Sequence, residues 1–368
     1  MARLVSTETD RLFLLAAVEL ARRGMNSTTP NPRVGCLIVH EGAVVGRGWH
    51  VRAGEGHAEV NALADAAAHA GRNAARDATA YVSLEPCCFE GRTPPCSRTL
   101  IDAGVARVVV AMVDPHPRVA GAGIAELERA GIAVDTMDLP EAHALLEGYV
   151  SRVTTGRPFV RIKMAASLDG RTAMASGESQ WITGEVARAD VQRWRARSCA
   201  IITGSGTVLA DDPALTVRDA SLAVDGNIRQ PLRVIVDSRA RIGATAQIFQ
   251  PPGEVLVAHV KGRPRTDEAE YLMLSGGADG HVDLAGLLDE LGARHCNEVL
   301  VEAGPTLAGA FLATGFWDEL LVYLAPKLLG SAARPFAELP IARMADAIGA
   351  TIVDRAAVGE DVRLRLRP

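Results

Sequence analysis

Apolar and polar positions over residues 10–150 form short blocks that predict helices and strands in alternation. Two apolar runs separated by Glu41-Gly42 are typical of a β-hairpin, and an alanine-rich helix is predicted to end at Gly71. The predicted strands are 34–39, 43–50, 80–84, 107–113 and 132–136, and the predicted helices are 9–23, 57–70, 96–103, 122–130 and 140–152. This order predicts an α/β layered domain with a mixed sheet.

The second half of the chain predicts a separate α/β unit. Gly156 and Pro158 interrupt the pattern, and 368 residues suit two domains, so we expect domains at 1–154 and 155–368. Polar segments at 220–230 and 261–268 predict loops. Strands are predicted at 159–165, 199–203, 232–236, 255–259, 298–302 and 319–325, helices at 185–197, 283–293 and 305–314, and a weaker β region at 350–366.

Composition excludes several classes of protein. Hydrophobic residues make up 48% and charged residues 23% of the chain, which is typical of soluble globular proteins. Lys and Arg number 39 against 44 Asp and Glu, and only 4% of residues are aromatic, so we expect a small-molecule substrate and no nucleic-acid partner. No apolar run approaches the roughly 18 residues that span a bilayer, and the N-terminus lacks signal-peptide features. We therefore expect a cytoplasmic protein without a membrane partner.

Three of the six cysteines lie within residues 87–96, a spacing that favours metal binding over a disulfide framework. His57 opens a predicted helix, Cys87 follows a predicted strand, and Cys96 begins another helix. One imidazole and two thiolates predict a catalytic site for one zinc ion, with the fourth tetrahedral position open to water. Glu59 is then placed to transfer protons. The alternative is a structural zinc knot or buried free cysteines.

The order His-x-Glu, Pro-Cys, Cys is the signature of zinc-dependent cytidine deaminases. Nucleotide deaminases keep two residues between the cysteines, whereas eight separate Cys87 and Cys96. The segments TPNPRVGCLIV (29–39), HAEVNAL (57–63), LEPCCFEGRTPPC (84–96) and DPHPRVAGAGI (114–124) resemble the bifunctional riboflavin-biosynthesis deaminase/reductase family, whose own form has this longer spacing. Cys88 and Phe89 depart from the family's usual Ser-His, and we keep Cys87 as the ligand.

The resemblance implies deamination of 2,5-diamino-6-(5-phosphoribosylamino)pyrimidin-4(3H)-one, with Glu59 relaying the proton to the departing ammonia. Asn31, in a proline-rich loop that enters a strand, is expected to face the pyrimidine. Arg92 is a candidate for the substrate's phosphate, the alternative being a solvated loop charge. His50 either lines the pocket or is an ordinary strand-end histidine.

No G-x-G-x-x-G follows a strand, which disfavours a Rossmann fold. Strand-loop-helix junctions at 199–207 and 299–310 are candidate phosphate sites, with plain packing turns as the alternative. Asp211-Asp212 resembles a metal pair, but Pro213 follows, and we predict a helix N-cap there.

The segments KMAASLDGRTA (163–173), SGESQWIT (176–183), GTVLADDPALTVR (206–218) and VEAGPTLAGAF (301–311) resemble the reductase half of the same family, as does VDS (236–238). The resemblance implies a dihydrofolate-reductase-like α/β domain after a cytidine-deaminase-like α/β/α domain. It also implies that NADPH reduces the ribosyl chain at C1′ to give 5-amino-6-(5-phosphoribitylamino)uracil.

The same resemblance implies the contacts of each ligand. Lys163 and Asp169 lie in a strand-turn expected to approach the nicotinamide, and arginine suits a sugar phosphate. Positions that match substrate contacts are Ser179, Arg195, Leu215, Arg218 and Glu302. Positions that match cofactor contacts are Ala165, Trp181, Thr207, Asp211, Ser238, Gly304, Pro305, Thr306, Leu307, Ala308, Gly309 and Ala310.

Two other functions fit the zinc signature less well. A nucleic-acid base deaminase fused to an unrelated module needs a cationic groove and stacking aromatic residues, which this composition disfavours. A zinc-stabilised nucleotide sensor would leave Glu59 without a purpose. The family resemblance further suggests a homo-oligomer, a dimer or tetramer, in which the strand-rich segments 317–325 and 350–366 could pair between subunits.

Overall fold

The chain folds as two α/β units that divide at Gly156. The computed structural model describes residues 7–90, 94–277 and 279–368. Its first unit is Met1–Gly156 and its second unit is Arg157–Pro368, a boundary two residues from the predicted one. Gly156 ends the last helix of the first unit at φ +79°, a left-handed conformation that glycine adopts without a steric penalty.

The first unit contains a five-stranded mixed sheet in the order β2-β1-β3-β4-β5, in which β1 is antiparallel to β2 and β3 and the other pairs are parallel. The predicted hairpin is present, because Glu41 and Gly42 form a two-residue turn with positive φ at both positions. The elements are α1 Glu8–Arg22, β1 Gly35–His40, β2 Ala43–Trp49, α2 Ala58–Ala70, β3 Thr79–Val82, α3 Cys96–Ala103, β4 Arg107–Val110, α4 Ala122–Arg129, β5 Ala133–Thr136 and α5 Pro140–Thr155.

Small residues hold α2 unusually close to the sheet. A Cβ atom at Gly46 or Gly48 in β2 would lie 2.3 Å from a backbone oxygen of α2, that of Ala62 or Ala58. Alanine on the helix and glycine on the strand therefore allow a direct backbone contact, and any larger side chain would push the helix away. This contact fixes the N-terminal end of α2, where His57 is the N-cap residue.

The second unit contains a nine-stranded sheet in the order β11-β10-β9-β8-β12-β6-β13-β16-β15, with β7 and β14 paired separately. Helices cover both faces, with Leu287 and Phe311 buried on one side and Trp194 on the other. The helices are α6 Glu185–Arg197, α7 Ser205–Asp211, α8 Leu284–Ala293 and α9 Pro305–Ala313. The strands are β6 Phe159–Ser167, β7 Arg171–Ala173, β8 Ala200–Gly204, β9 Leu232–Val236, β10 Val255–His259, β11 Glu270–Met273, β12 Glu298–Glu302, β13 Glu319–Ala325, β14 Arg334–Pro335, β15 Thr351–Val358 and β16 Asp361–Arg367.

A buried ion network joins the central strands of the second unit. Arg161 in β6 is fully buried and lies 2.6 Å from Glu319 in β13 and 3.1 Å from Glu298 in β12. Burial alone would raise the pKa of Glu319, but the charge of Arg161 and hydrogen bonds from Arg365 and Arg161 hold it at about 2. The carboxylate is therefore fixed as an anion.

The predicted N-cap at Asp211-Asp212 is wrong. Asp211 is the last residue of α7, and Asp212 ends that helix at φ +42°, a left-handed conformation that short polar side chains tolerate. The sequence also did not predict α7, β7, β11 or β14, which are only two to seven residues long. Among the described residues, no helix is both long and apolar enough to cross a membrane.

Candidate functional site

The three predicted metal ligands of the first unit come together at the ends of three elements. His57 caps α2, Cys96 is the first residue of α3, and Cys87 lies in the loop after β3. Their ligand atoms all lie within 4.8 Å of one another, with His57 Nδ1 3.3 Å from Cys96 Sγ and 3.6 Å from Cys87 Sγ. The Cys96 backbone N–H donates to Cys87 Sγ at 3.4 Å.

These separations fit zinc. Tetrahedral bonds of about 2.3 Å to sulfur and about 2.05 Å to nitrogen place the two ligand atoms about 3.6 Å apart. The hydrogen bond between the two sulfurs lowers the pKa of Cys87 and raises the pKa of Cys96, so the protein alone favours one of the two thiolates that bind metal. Three protein ligands leave one tetrahedral position open, which is typical of a catalytic site.

Glu59 lies beside the metal ligands in the first turn of α2. It is only 3% exposed, and burial raises the pKa of Glu59 to about 7, with the nearby negative charge of Cys87 adding to the effect. A carboxyl group with such a pKa both accepts and releases a proton near neutral pH. The position is set by the same helix that positions His57.

Asn31 and His50 form a hydrogen-bonded pair next to His57. His50 Nδ1 lies 3.0 Å from the Gly56 carbonyl, which only accepts, so Nδ1 carries the proton and Nε2 accepts from the Asn31 amide at 3.0 Å. Burial lowers the pKa of His50 and keeps the ring neutral. The ring packs edge-on against His57 with centroids 4.9 Å apart. His50 therefore contacts the site and fixes the Asn31 amide.

Glu85 is a site residue that sequence reasoning missed. Its buried carboxylate accepts four backbone N–H groups, from Asp114, Gly121, Gly123 and Ile124, at 2.9–3.2 Å. This ties the loop at 114–124 to the segment that carries Cys87. A signal was present in the sequence, since the glycines of that loop allow the backbone to approach a carboxylate closely.

The two departures from the family pattern lie on the outer side of the loop. Cys88 Sγ is 3.7 Å from the Arg118 carbonyl oxygen and is not part of the ligand cluster. The Arg118 guanidinium stacks on the Phe89 ring, 4.0 Å from its centroid. Arg92 lies outside the described residues.

The predicted residues of the second unit line one broad cleft of about 2000 Å³ at the carboxyl ends of the central strands. A pocket for a single ligand usually measures about 300–1,000 Å³, so the cleft has room for a dinucleotide together with a sugar phosphate. Lys163 is also in the lining, whereas Asp169 is not. The predicted residues that line it are Ala165, Ser179, Trp181, Arg195, Thr207, Asp211, Leu215, Arg218, Ser238, Glu302, Gly304, Pro305, Thr306, Leu307 and Ala310.

Ala308 and Gly309 do not reach the cleft. Ala308 is fully buried in the core, and a Cβ atom at Gly309 would lie 2.1 Å from the Glu338 carbonyl oxygen. Both belong to α9, and successive helical residues point in different directions. Their side chains therefore do not support the predicted cofactor contacts, which stay predictions for these two residues.

Arg195 and Glu302 form a paired charge in the cleft. Arg195 Nε and Nη2 donate to the two Glu302 carboxylate oxygens at 2.6 and 2.9 Å, and Nη1 donates to the Thr216 carbonyl at 3.1 Å. Leu215, next to Thr216, lies at φ +49°, a strained conformation for a branched residue that is typical of functional sites. Arg218 is exposed, and its side chain forms no ion pair among the described residues.

Comparisons with known proteins identify the chain. Residues 7–112 match a family model described as the cytidine and deoxycytidylate deaminase zinc-binding region, and residues 158–362 match the RibD C-terminal domain. The riboflavin biosynthesis protein RibD of Escherichia coli is 50% identical over 97% of this chain and 99% of the relative. The chain belongs to the RibD family.

Two solved structures are similar to this chain in both sequence and fold. RibD of Acinetobacter baumannii is 45% identical, covers 98% of this chain and 99% of its own, and superimposes with a TM-score of 0.90. A Thermotoga maritima protein, described as a diaminohydroxyphosphoribosylaminopyrimidine deaminase/5-amino-6-(5-phosphoribosylamino)uracil reductase, is 30% identical, with a TM-score of 0.87 and coverage of 98% and 99%. The predicted α/β fold class is thus confirmed. So are the zinc-dependent deaminase and NADPH-dependent reductase activities of riboflavin biosynthesis.

Several polar groups in the reductase cleft already have hydrogen-bond partners within the protein. The Gly304 N–H donates to Thr207 Oγ1 at 3.1 Å, and the Thr306 hydroxyl donates to a Glu338 carboxylate oxygen at 2.9 Å. The Ser179 hydroxyl donates to Asp211 at 3.4 Å. These hydrogen bonds to other cleft residues fix the positions of the predicted ligand-binding groups.

Proposed function

We propose that this chain deaminates 2,5-diamino-6-(5-phosphoribosylamino)pyrimidin-4(3H)-one in residues 1–154. We further propose that residues 155–368 reduce the ribosyl chain of the product to give 5-amino-6-(5-phosphoribitylamino)uracil. The observation that carries the first step is the buried Glu59 beside a cluster of one imidazole and two thiols. The description of the Thermotoga maritima protein, which matches nearly the whole chain, supports both substrates.

In the deaminase domain, His57, Cys87 and Cys96 would hold zinc, which when bound supplies Lewis-acid activation of the attacking water. Glu59 accepts the proton that the water loses and gives it to the exocyclic nitrogen. The bond from carbon to nitrogen then breaks, ammonia leaves, and the ring carbon keeps the oxygen. A carboxyl pKa near 7 suits both halves of this transfer.

Asn31 is assigned to the pyrimidine ring. Its amide nitrogen is occupied by His50, which leaves the amide oxygen as an acceptor of fixed orientation. His50 acts through Asn31 and is a positioning residue. Arg92 stays a prediction for the substrate's phosphate, argued from its place in the segment between the two cysteines.

In the reductase domain, NADPH when bound would supply a hydride to C1′ of the sugar in its open-chain imine form. Arg218 binds the substrate's phosphate, because its guanidinium is exposed in the cleft and uncommitted to a carboxylate. Arg195 instead holds Glu302 in place through two hydrogen bonds, so its role moves from binding phosphate to positioning. Ser179 and Leu215 are assigned to the substrate. The residues assigned to the cofactor are Ala165, Trp181, Thr207, Asp211, Ser238, Gly304, Pro305, Thr306, Leu307 and Ala310.

We also propose that the chain forms a homo-oligomer through the edge of its second sheet. β15 is the edge strand, and Ile352 and Val353 are 56% and 47% exposed there. Apolar side chains on an open strand edge favour pairing with another chain. Light scattering after size exclusion would measure the mass, and a monomer at micromolar concentration would contradict the proposal. The six free thiols support action in the reducing cytoplasm.

Glu59→Gln tests the assigned mechanism. We expect ammonia release to fall by about 10²–10⁴-fold, because proton transfer is lost while shape is kept. Zinc should remain at about one per chain, and reduction of the deaminated substrate should be unchanged. Glu55→Gln, an exposed position four residues earlier, is the matched control. Unaffected ammonia release in Glu59→Gln would disprove the assignment.

A further inference from the structure

Three basic side chains lie at one end of the reductase cleft. Arg239 and Arg241 follow β9, Lys261 follows β10, and all three line the cleft. β9 and β10 are parallel neighbours in the sheet, so the loops after them leave the same edge side by side.

The loop after β9 and the loop after β10 are in direct contact. The Ser238 carbonyl accepts the N–H groups of Val260 and Lys261 at 3.2 and 3.1 Å. A Cβ atom at Gly262 would lie 2.4 Å from the Arg239 carbonyl oxygen, so only glycine permits this approach. The Asp237 carboxylate accepts the Ile242 N–H at 3.0 Å and that of Arg241. The backbone that carries the three cations is therefore fixed before a ligand arrives.

The cations are available to an anion. Arg239 and Lys261 are exposed and have no ion-pair partner among the described residues. Arg241 is oriented by its hydrogen bond to Ser205 Oγ at 2.7 Å, and Asp237 lies 3.5 Å from its Nε.

Two further acids line this end of the cleft. Asp279 accepts the N–H of His281 and Asp283 that of Ala285, both at 3.0 Å, so each is engaged by backbone. Two cations thus remain without a compensating carboxylate bound to them.

The position of the cluster suits the adenosine end of the cofactor. Lys163, in the strand-turn expected to approach the nicotinamide, lies in β6 and pairs with Glu302 at the carboxyl end of β12. β8, β9 and β10 come next in the sheet, so β10 lies three strand spacings from β12, or about 14 Å. An extended dinucleotide that begins at β6 and β12 reaches the ends of β9 and β10 with its adenosine half.

We infer that Arg239, Arg241 and Lys261 bind the 2′-phosphate of NADPH and make the reductase prefer NADPH to NADH. This rests on the proposed function for the direction of the cofactor. Guanidinium groups match phosphate oxygens in pairs, and a lysine adds a compact charge. Ser238 lies between them with its Oγ accepting the Val282 N–H at 3.2 Å, so its hydroxyl hydrogen is left to donate to the ribose or phosphate.

Binding of 2′,5′-ADP and of 5′-AMP to the full zinc-loaded chain, measured by calorimetry, tests the inference. The wild type should bind 2′,5′-ADP at least about tenfold more tightly than 5′-AMP. Arg239→Ala and Lys261→Ala should each remove about tenfold of the affinity for 2′,5′-ADP and leave that for 5′-AMP within twofold. Their KM for NADPH should rise while that for NADH stays unchanged. Arg263→Ala, an exposed position outside the cleft lining, is the control.

The outcomes separate this inference from the function on which it rests. Unchanged selectivity in the Arg239→Ala/Lys261→Ala double variant, with NADPH-dependent reduction intact, overturns the inference alone. So does a rise in the KM of the phosphorylated substrate without a change in cofactor selectivity, since the cluster would then bind the substrate's phosphate. A wild type that reduces nothing with NADPH overturns the proposed function. Thermal melting verifies that each variant is folded, and Arg239→Lys should recover part of the selectivity.

Discussion

The two active sites of this member of the RibD family differ in size and in the exposure of their residues. The deaminase site gathers three ligand atoms within 4.8 Å, next to a carboxyl group that is 3% exposed. The reductase site is a cleft of about 2000 Å³ in which Trp181 is 62% exposed. In the first, the proposed function assigns metal binding and proton transfer to the protein's own groups, so small displacements should matter. In the second, the cofactor carries the hydride, and the protein supplies surface, charge and orientation.

The two domains also differ in how their buried charged groups are stabilised. Burial of Glu59 and the negative charge of Cys87 raise the pKa of its carboxyl group towards neutrality, as the proposed proton transfer requires. Buried charges of the reductase domain are instead paired, as in Arg195 with Glu302 and Arg161 with Glu319. Paired charges stay ionised and hold geometry, so variants should affect the two domains in different ways.

Removal of zinc should give the largest difference between the two active sites. A chelator should reduce ammonia release to background and leave reduction of the deaminated substrate at the wild-type rate, because only the first site contains a ligand cluster in the described part of the chain. Added zinc should restore deamination. Cys87→Ser should lose the metal, while Cys88→Ser should keep about one zinc per chain by metal analysis. Zinc loss in both variants would mean that Cys88 shares the ligand role.

Glu85→Gln should weaken the deaminase domain alone. Glutamine accepts at one oxygen only, so two of the four backbone N–H groups lose their acceptor, at about 1–3 kcal/mol for each buried group. We expect a lower midpoint of urea unfolding for the first unit and at least about a tenfold loss of deaminase kcat/KM. Reductase kinetics should be unchanged. Glu128→Gln, exposed on α4, is the control. Wild-type deaminase activity in Glu85→Gln would show that the loop does not need this anchor.

Arg218→Ala should affect the reductase alone and act mainly on substrate binding. Loss of a charge-assisted hydrogen bond to phosphate costs about 1.5–3 kcal/mol, so KM for the phosphorylated substrate should rise about tenfold or more. The KM of NADPH and ammonia release should not change. Arg193→Ala on α6 is exposed and outside the cleft lining, and it should behave as the wild type. If both half-reactions slow in Arg218→Ala, the division into two independent sites is wrong.

Replacement of Glu319 should affect catalysis least and should instead change the stability of the reductase domain in acid. The pKa of Glu319 is about 2 in the folded chain, below its ordinary value of 4.5, so its stabilisation is complete above pH 4.5 and is lost as the pH falls through 2. A shift of this size corresponds to about 3 kcal/mol. Tryptophan fluorescence follows the second unit, which holds three of the four tryptophans. Glu319→Gln should flatten the fall in stability between pH 4.5 and 2, whereas exposed Glu360→Gln should not. A steep fall in both variants would assign the acid sensitivity to other carboxylates.

Sequence reasoning succeeded where the functional groups sit on short local segments. His57 and Glu59 are two residues apart at one helix start, and each cysteine directly follows a proline, so short motifs mark these residues although His57 lies 30 and 39 residues from the two cysteines. It failed where a group acts through distant partners. Glu85 finds its donors about 30–40 residues later, and the partner of Arg195 is 107 residues away.

The sequence by itself determined the two α/β domains and the family, and it named His57, Cys87, Cys96 and Glu59, which the structure brings together. These features are encoded in periodicity and in short motifs whose spacing is fixed by helix and strand geometry. Only the tertiary structure decided that Arg195 pairs with Glu302, that Ala308 and Gly309 face the core, and that cations gather after β9 and β10. The physical reason is that strand order and helix rotation bring together residues far apart in the chain, and no local pattern records which of them meet.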